Sequence, residues 1–271
     1  MAVLSDLALA RAPDLATGRK ARGLAQLVAH GIATPAFAVL DDAERAYWIR
    51  HRTLSSAVAP GLRALVDRAS HAGAPALFSV RCEATSAATG ARPPPTILNI
   101  GLTHIPHATG ALRETYEQRV ALFERHHGAA RVDGGDLLAT LGAWIARMFE
   151  ALGDAPVSHN VVIQRMVFGC ADERSGNGIC CNLPAPGPQS RFHGVFLPGQ
   201  QGIPAIRGAW GDPQIDLHAL AALNPGAYRE LSQIFDRLEA IAPDPYLEFT
   251  VEGRALYCMQ YEQRRRRVGV A

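Results

Sequence analysis

Lys20, Arg81, Glu248 and Gln260 are the residues whose types and settings suit chemistry on a phosphate group. Lys20 lies in Gly18-Arg19-Lys20-Ala21-Arg22-Gly23, which opens a helix in which Leu24, Leu27 and Val28 recur at helical spacing and Gly31 is the stop. A helix dipole does not favour a cation at that end, whereas a lysine beside free backbone N–H groups is one way to build an anion site. A plain exposed lysine is the competing reading. Arg81 follows the apolar run Ala76 to Val80 and precedes a small-residue loop, Glu83 to Pro95. Phosphate oxygens accept both a planar guanidinium fork and loop N–H groups, so this setting suits phosphate, with a structural salt bridge as the alternative. Glu248 and Gln260 fall on the two arms of a hairpin, where a carboxylate and an amide oxygen facing one way can share magnesium, a hard cation with oxygen ligands. Ordinary exposed strand positions are the alternative there.

The elements that must carry these residues are legible in outline. Val161 to Phe168 is β-branched and apolar except for Gln164 and Arg165, a polar break that needs partners from the protein or from a ligand. Asp172-Glu173-Arg174-Ser175-Gly176-Asn177-Gly178 follows, and its Gly and Asn residues predict a turn that folds Val161 to Cys181 into a hairpin. Strands are expected at Ala36 to Leu40, Ala76 to Cys82 and Phe192 to Leu197, with Thr96 to Gly101 a strand or capping segment. Helices are expected from Asp42 to about Leu54, behind an Asp41-Asp42 cap, and from Pro60 to about His71. Further helices are expected from Gly110 to His127, Gly135 to Leu152 and Asn224 to Ile241. The last hairpin pairs Tyr246 to Val251 with Ala255 to Gln260 through Glu252-Gly253-Arg254.

With 271 residues and a formal charge of +2, the chain has room for one large domain or two lobes, and nothing global calls for nucleic acid or an anionic membrane. No apolar run approaches the ~18 residues of a membrane span, and Met1 to Ala10 lacks the basic start of a signal peptide, so a cytoplasmic protein is expected. Five cysteines without a CxxC pair suggest buried thiols on strands rather than disulfides or zinc. His104, His107, His126 and His127 have ligand-like spacings but no acidic or cysteine companions, and a metal needs three or four ligands to converge. The tail Arg264 to Arg267 reads most simply as a solvated end, with contact to phosphate or nucleic acid as the alternative.

Four blocks in order resemble the nucleotide-binding domain of pyruvate phosphate dikinase, phosphoenolpyruvate synthase and rifampin phosphotransferase. They are Gly18-Arg19-Lys20-Ala21 with Leu24 onward; Ser79-Val80-Arg81 through Thr96-Ile97-Leu98-Asn99; Gln164 to Gly169 with Ser175-Gly176-Asn177-Gly178; and Leu247-Glu248-Phe249 with Met259-Gln260. The resemblance implies an α+β ATP-grasp fold, two lobes with a nucleotide cleft between them, divided here as 1–155 and 156–271. It implies that Lys20 and Arg81 hold phosphates of ATP, that the loop carrying Arg92 covers the γ-phosphate, and that Thr96 contacts it. Arg92 would join Lys20 and Arg81 in stabilising the transferred group. Gln164, Arg165, Met166 and Val167 would meet adenine, and Glu248 and Gln260 would bind Mg2+.

The chain departs from the family at the phosphate end. Tyr246 stands where the family has an acidic residue, Glu262 where it has an arginine, and Pro93-Pro94-Pro95 removes backbone donors from the phosphate loop. The sequence stops where the family's mobile phosphohistidine domain would begin and has no room for the phosphoenolpyruvate barrel. The expected activity is therefore an ATP-dependent phosphotransferase acting on a small molecule or on a separate phosphohistidine-domain protein. The alternative is a degenerate ATP-grasp domain that binds a nucleotide or another anion without phosphoryl transfer.

Overall fold

A computed structural model describes residues 3–70, 76–85, 93–102, 110–128, 132, 135–154, 158–181, 193–201 and 216–263. Arg92, His104, His107, Pro184 to Pro188 and Arg264 to Arg267 lie outside the described residues. The chain divides into two compact units, Met1–Ala25 with Pro35–Met166, and Gln26–Thr34 with Val167–Ala271. Among the described residues each unit holds one antiparallel sheet, so the protein is mixed α/β and compatible with the α+β class.

The sheet of the first unit has the order β1 (Val3–Ser5), β2 (Phe37–Leu40), β5 (His159–Arg165), β3 (Phe78–Ala84), β4 (Ile97–Ile100). Period-two alternation divides its central strands between two faces. Phe78, Val80 and Cys82 of β3, with Val161 and Ile163 of β5, enter an apolar core. That core also takes Trp48 of α3 (Asp42–His51), Leu62 and Leu65 of α4 (Val58–Ala69), Phe123 of α5 (Gly110–His127), and Leu141, Trp144, Met148 and Phe149 of α6 (Leu137–Leu152). Trp144 is the hub, with the Phe123 ring edge-on at 5.7 Å and the Tyr116 ring edge-on at 6.4 Å. The helix starts are capped by acidic side chains: Asp41 accepts the Glu44 N–H at 3.2 Å and Asp136 accepts the Ala139 N–H at 2.7 Å. Elements not expected from the sequence include the edge strand β1 and the short helix α1 (Asp6–Arg11). α2 (Arg19–Ala29) gives its residues through Ala25 to the first unit.

The sheet of the second unit has the order β7 (His193–Pro198), β6 (Gly176–Cys181), β8 (Pro245–Glu252), β9 (Ala255–Gln263). After a short helix α7 (His218–Leu223), α8 (Pro225–Ile241) packs on β8 and β9 and buries Leu231, Ile234, Phe235 and Leu238 at helical spacing. Asn224 caps α8 by accepting the Ala227 N–H at 3.2 Å, and its amide donates to the Gly253 carbonyl at 3.1 Å, tying the cap to the β8–β9 turn.

The expected hairpin over Val161 to Cys181 is corrected: its two arms are β5 and β6, which belong to different sheets. The turn signal failed because Gly176 and Gly178 are strand residues, required by close approach rather than by a bend. A Cβ on Gly176 would stand 2.3 Å from the Phe196 ring, and one on Gly178 would stand 2.2 Å from the Phe249 ring. Those two rings lie parallel, 6.2 Å apart. The connecting segment is instead tied into the second unit, with Phe168 N–H donating to the Glu252 carboxylate at 2.9 Å and Ser175 Oγ donating to Asp172 at 2.6 Å. Cysteine placement is corrected at one position, since Cys82, Cys180, Cys181 and Cys258 are buried strand thiols but Cys170 is exposed in a turn.

Candidate functional site

On the face of the first sheet opposite the core, three register pairs line up: Ser79 with Gln164, Arg81 with Val162, and Glu83 with Asn160. This polar row accounts for Gln164, whereas Arg165 pairs with Phe78. Gln164 is only 1% exposed, and its Oε1 accepts from Arg81 Nη2 at 2.5 Å while its backbone carbonyl accepts from Ser79 Oγ at 3.4 Å. Gln164 Nε2 is buried and has no hydrogen-bond partner. A buried donor in that state costs on the order of 1–3 kcal/mol, which makes it a candidate for a ligand acceptor.

Glu83 is the residue that the sequence reading passed over. It lies at the end of β3, 7% exposed, and its two oxygens accept the backbone N–H groups of Lys20 at 2.7 Å and Ala21 at 2.8 Å. Arg22 N–H donates to the Gly18 carbonyl at 3.2 Å, so Gly18 is the residue that begins α2, and it has no side chain with which to cap it. Glu83 supplies both missing acceptors from another element. Gly18 has φ +81°, and a Cβ there would stand 2.7 Å from Glu83 Oε1, so a side chain would strain the backbone and require the carboxylate to shift. Asn160 steadies the approach by donating its amide to the Thr17 carbonyl and accepting from Thr17 Oγ1 at 3.3 Å. Burial pushes the Glu83 carboxyl above its usual range, opposed by the two N–H bonds and by the charges of Lys20 and Arg81.

Lys20 is therefore the second residue of α2, half-buried, and the first-turn N–H groups expected to be free for an anion hold a protein carboxylate instead. Thr96 is half-buried in the extended segment before β4. The backbone expected to face adenine is largely engaged: Arg165 N–H donates to the Ala36 carbonyl at 2.9 Å, Met166 N–H to the Leu77 carbonyl at 2.7 Å, and the Val167 carbonyl accepts from Gln201 at 3.1 Å. A carbonyl has a second lone pair, so Val167 can still accept from a ligand.

In the second unit Glu248 and Gln260 are direct cross-strand partners, and Tyr246 and Glu262 form the next such pair on the same face. Glu248 and Gln260 are 5% and 6% exposed, so they are not ordinary exposed strand positions. Both departures from the family pattern touch them. Tyr246 Oη donates to Glu248 Oε1 at 3.2 Å, and Gln260 Nε2 donates to Glu262 Oε1 at 2.5 Å. Glu262 thereby fixes the Gln260 amide and leaves Gln260 Oε1 as its acceptor, the atom a hard cation would need. Among the described residues no three His, Cys, Asp or Glu side chains converge into a metal cluster. His126 and His127 close the last turn of α5, where basic side chains suit the helix dipole.

No family model matches the chain. A stretch of 102 residues, 36% of the chain, is 32% identical to pyruvate, phosphate dikinase of Rickettsia conorii (strain ATCC VR-613 / Malish 7). The same identity and length hold against pyruvate, phosphate dikinase of Rickettsia prowazekii (strain Madrid E) and of Rickettsia felis (strain ATCC VR-1525 / URRWXCal2). The match covers 12% of each of these relatives. Among the described residues no helix is long and apolar enough to cross a membrane. Part of this chain is thus related in sequence to a segment of pyruvate, phosphate dikinase.

Proposed function

We propose that this chain is an ATP-grasp domain related to the nucleotide-binding part of pyruvate phosphate dikinase, and that it works with magnesium in phosphoryl transfer. The acceptor would be a small molecule or a phosphohistidine domain on a separate protein. The observation that carries this reading is the Arg81–Gln164 pair: a guanidinium bound at 2.5 Å to the oxygen of a buried amide whose nitrogen has no partner. A cation beside an unused buried donor suits an oxygen-rich or nitrogen-acceptor ligand, which ATP supplies at both ends.

Within the first unit, Lys20, Arg81 and Thr96 would neutralise and orient phosphate oxygens, with Arg92 joining them from the loop. Gln164, Arg165 and Met166 would border the base through the Gln164 amide, and Val167, the first residue of the following segment of the second unit, offers its carbonyl. Within the second unit, Glu248 and Gln260 offer the oxygen ligands that suit Mg2+, a cation that commonly accompanies nucleotide phosphates. Most of what phosphoryl transfer asks of a protein is such positioning and charge compensation.

A second reading has its own support. Glu83 holds two N–H groups of α2 at 2.7 and 2.8 Å, so that end of the site is satisfied without a phosphate. This favours a degenerate domain that binds a nucleotide or another anion without transfer. Slow ADP formation from ATP, with water as acceptor, separates the two without knowledge of the natural acceptor. The enzyme reading predicts magnesium-dependent ADP release that is lost in Glu248→Gln and Arg81→Ala. Saturable ATP binding with no ADP formed would support the degenerate domain instead.

A further inference from the structure

Gln164 and Arg81 are diagonal neighbours on one face of the first sheet, since Gln164 pairs with Ser79 and Arg81 with Val162. An amide can turn about its last bond and exchange its oxygen for its nitrogen, but here the two orientations are not equivalent. Arg81 Nη2 donates to Gln164 Oε1 at 2.5 Å, and the turned amide would set an N–H against a guanidinium, which has donors and no acceptor. The sense of the amide is thereby fixed, and Nε2 is left as its donor. Gln164 is 1% exposed, and Nε2 has no hydrogen-bond partner among the described residues. The backbone donors that follow are already taken, Arg165 N–H by the Ala36 carbonyl and Met166 N–H by the Leu77 carbonyl.

We propose that Arg81 acts on ligand selection through Gln164: by holding Oε1 it commits the amide to donate through Nε2, so that this face selects a ligand with a hydrogen-bond acceptor at that place. In the nucleotide reading, on which the ligand's identity rests, that acceptor is a ring nitrogen of adenine. A ligand that brought an N–H there would leave two buried donors facing each other, and a buried site discriminates most strongly against such a mismatch. In this role Arg81 is a positioning residue, whatever contact it also makes with phosphate.

The experiment uses adenosine, which has the base and no phosphate, so that phosphate contacts of Arg81 contribute nothing. Adenosine is titrated into the 15N-labelled full chain and followed at the Gln164 side-chain amide, whose order parameter is measured beforehand, with calorimetry of MgATP in parallel. In the wild type the amide should be rigid and should shift saturably with adenosine. Arg81→Met should loosen the amide and weaken adenosine about tenfold, the size expected for one oriented buried hydrogen bond. Gln164→Met should weaken adenosine by a similar factor, and the double variant should be no weaker than Gln164→Met, because the arginine acts through the amide. If Gln164→Met does not fold, Gln164→Glu keeps an acceptor for Arg81 without the N–H and should show the same loss. An Arg81→Met variant that binds adenosine like the wild type but MgATP weakly would overturn the proposal, as would adenosine binding with an unresponsive Gln164 amide. Should the wild type bind neither adenosine nor MgATP, the nucleotide reading falls and the order parameters alone decide the amide: loosening in Arg81→Met supports its orientation by Arg81, and equal rigidity in both proteins overturns it.

Discussion

Gly18 and Glu83 are complementary at atomic scale: the glycine begins α2 with a positive φ and no side chain, and the carboxylate occupies the space that a methyl group would claim. Gly18→Ala should destabilise the protein by about 1–3 kcal/mol in urea denaturation, because the added carbon meets Glu83 and the backbone must also be strained. An unchanged midpoint would show that Glu83 moves aside freely. Lys20, Arg81 and Gln164 were legible because a cation at a helix start and a polar break in an apolar strand are visible in one dimension. Glu83 was not, since its partners lie 62 and 63 positions away. A signal did exist: Ser79, Arg81 and Glu83 alternate with core residues Phe78, Val80 and Cys82, so period two alone puts the acid on the arginine's face.

At the scale of elements, α3 is joined to β5 by one side chain. Asp42 Oδ1 accepts the His159 N–H at 3.1 Å and Arg45 Nε at 2.9 Å, and Oδ2 accepts from Ser158 Oγ at 3.0 Å. Burial alone would raise the Asp42 carboxyl, but these bonds from Arg45, His159 and Ser158 outweigh it and hold it below the usual aspartate range. A depressed carboxylate contributes stability above its unfolded pKa, and that contribution is lost as pH falls through the folded value. Asp42→Asn should therefore be less stable than wild type at neutral pH, and the gap should close as pH drops below about 4. A gap independent of pH would mean that the charge plays no part. Element order was mostly readable from period and caps, but strand partnership was not. β5 and β6 read as a hairpin because glycine signals a turn in sequence, whereas Gly176 and Gly178 are there to admit the Phe196 and Phe249 rings from other strands. The last hairpin was readable because its arms adjoin and its turn is local, and Glu248 duly faces Gln260.

Across the whole molecule, the relation to pyruvate, phosphate dikinase covers 36% of the chain, and the chain matches only 12% of those longer proteins. The chain offers correspondingly local features: a guanidinium bonded to a buried amide in one unit, and an oxygen pair suited to a hard cation in the other. Two of the departures from the family pattern are not scattered, because Tyr246 and Glu262 touch Glu248 and Gln260, the residues that the resemblance assigns to magnesium. The most direct test is calorimetric titration of MgATP into the wild-type chain and into Arg81→Ala. Nucleotide binding through this site predicts saturable heat in the wild type that weakens when magnesium is chelated and disappears in Arg81→Ala; no heat at millimolar ATP, or equal binding by the variant, would contradict it.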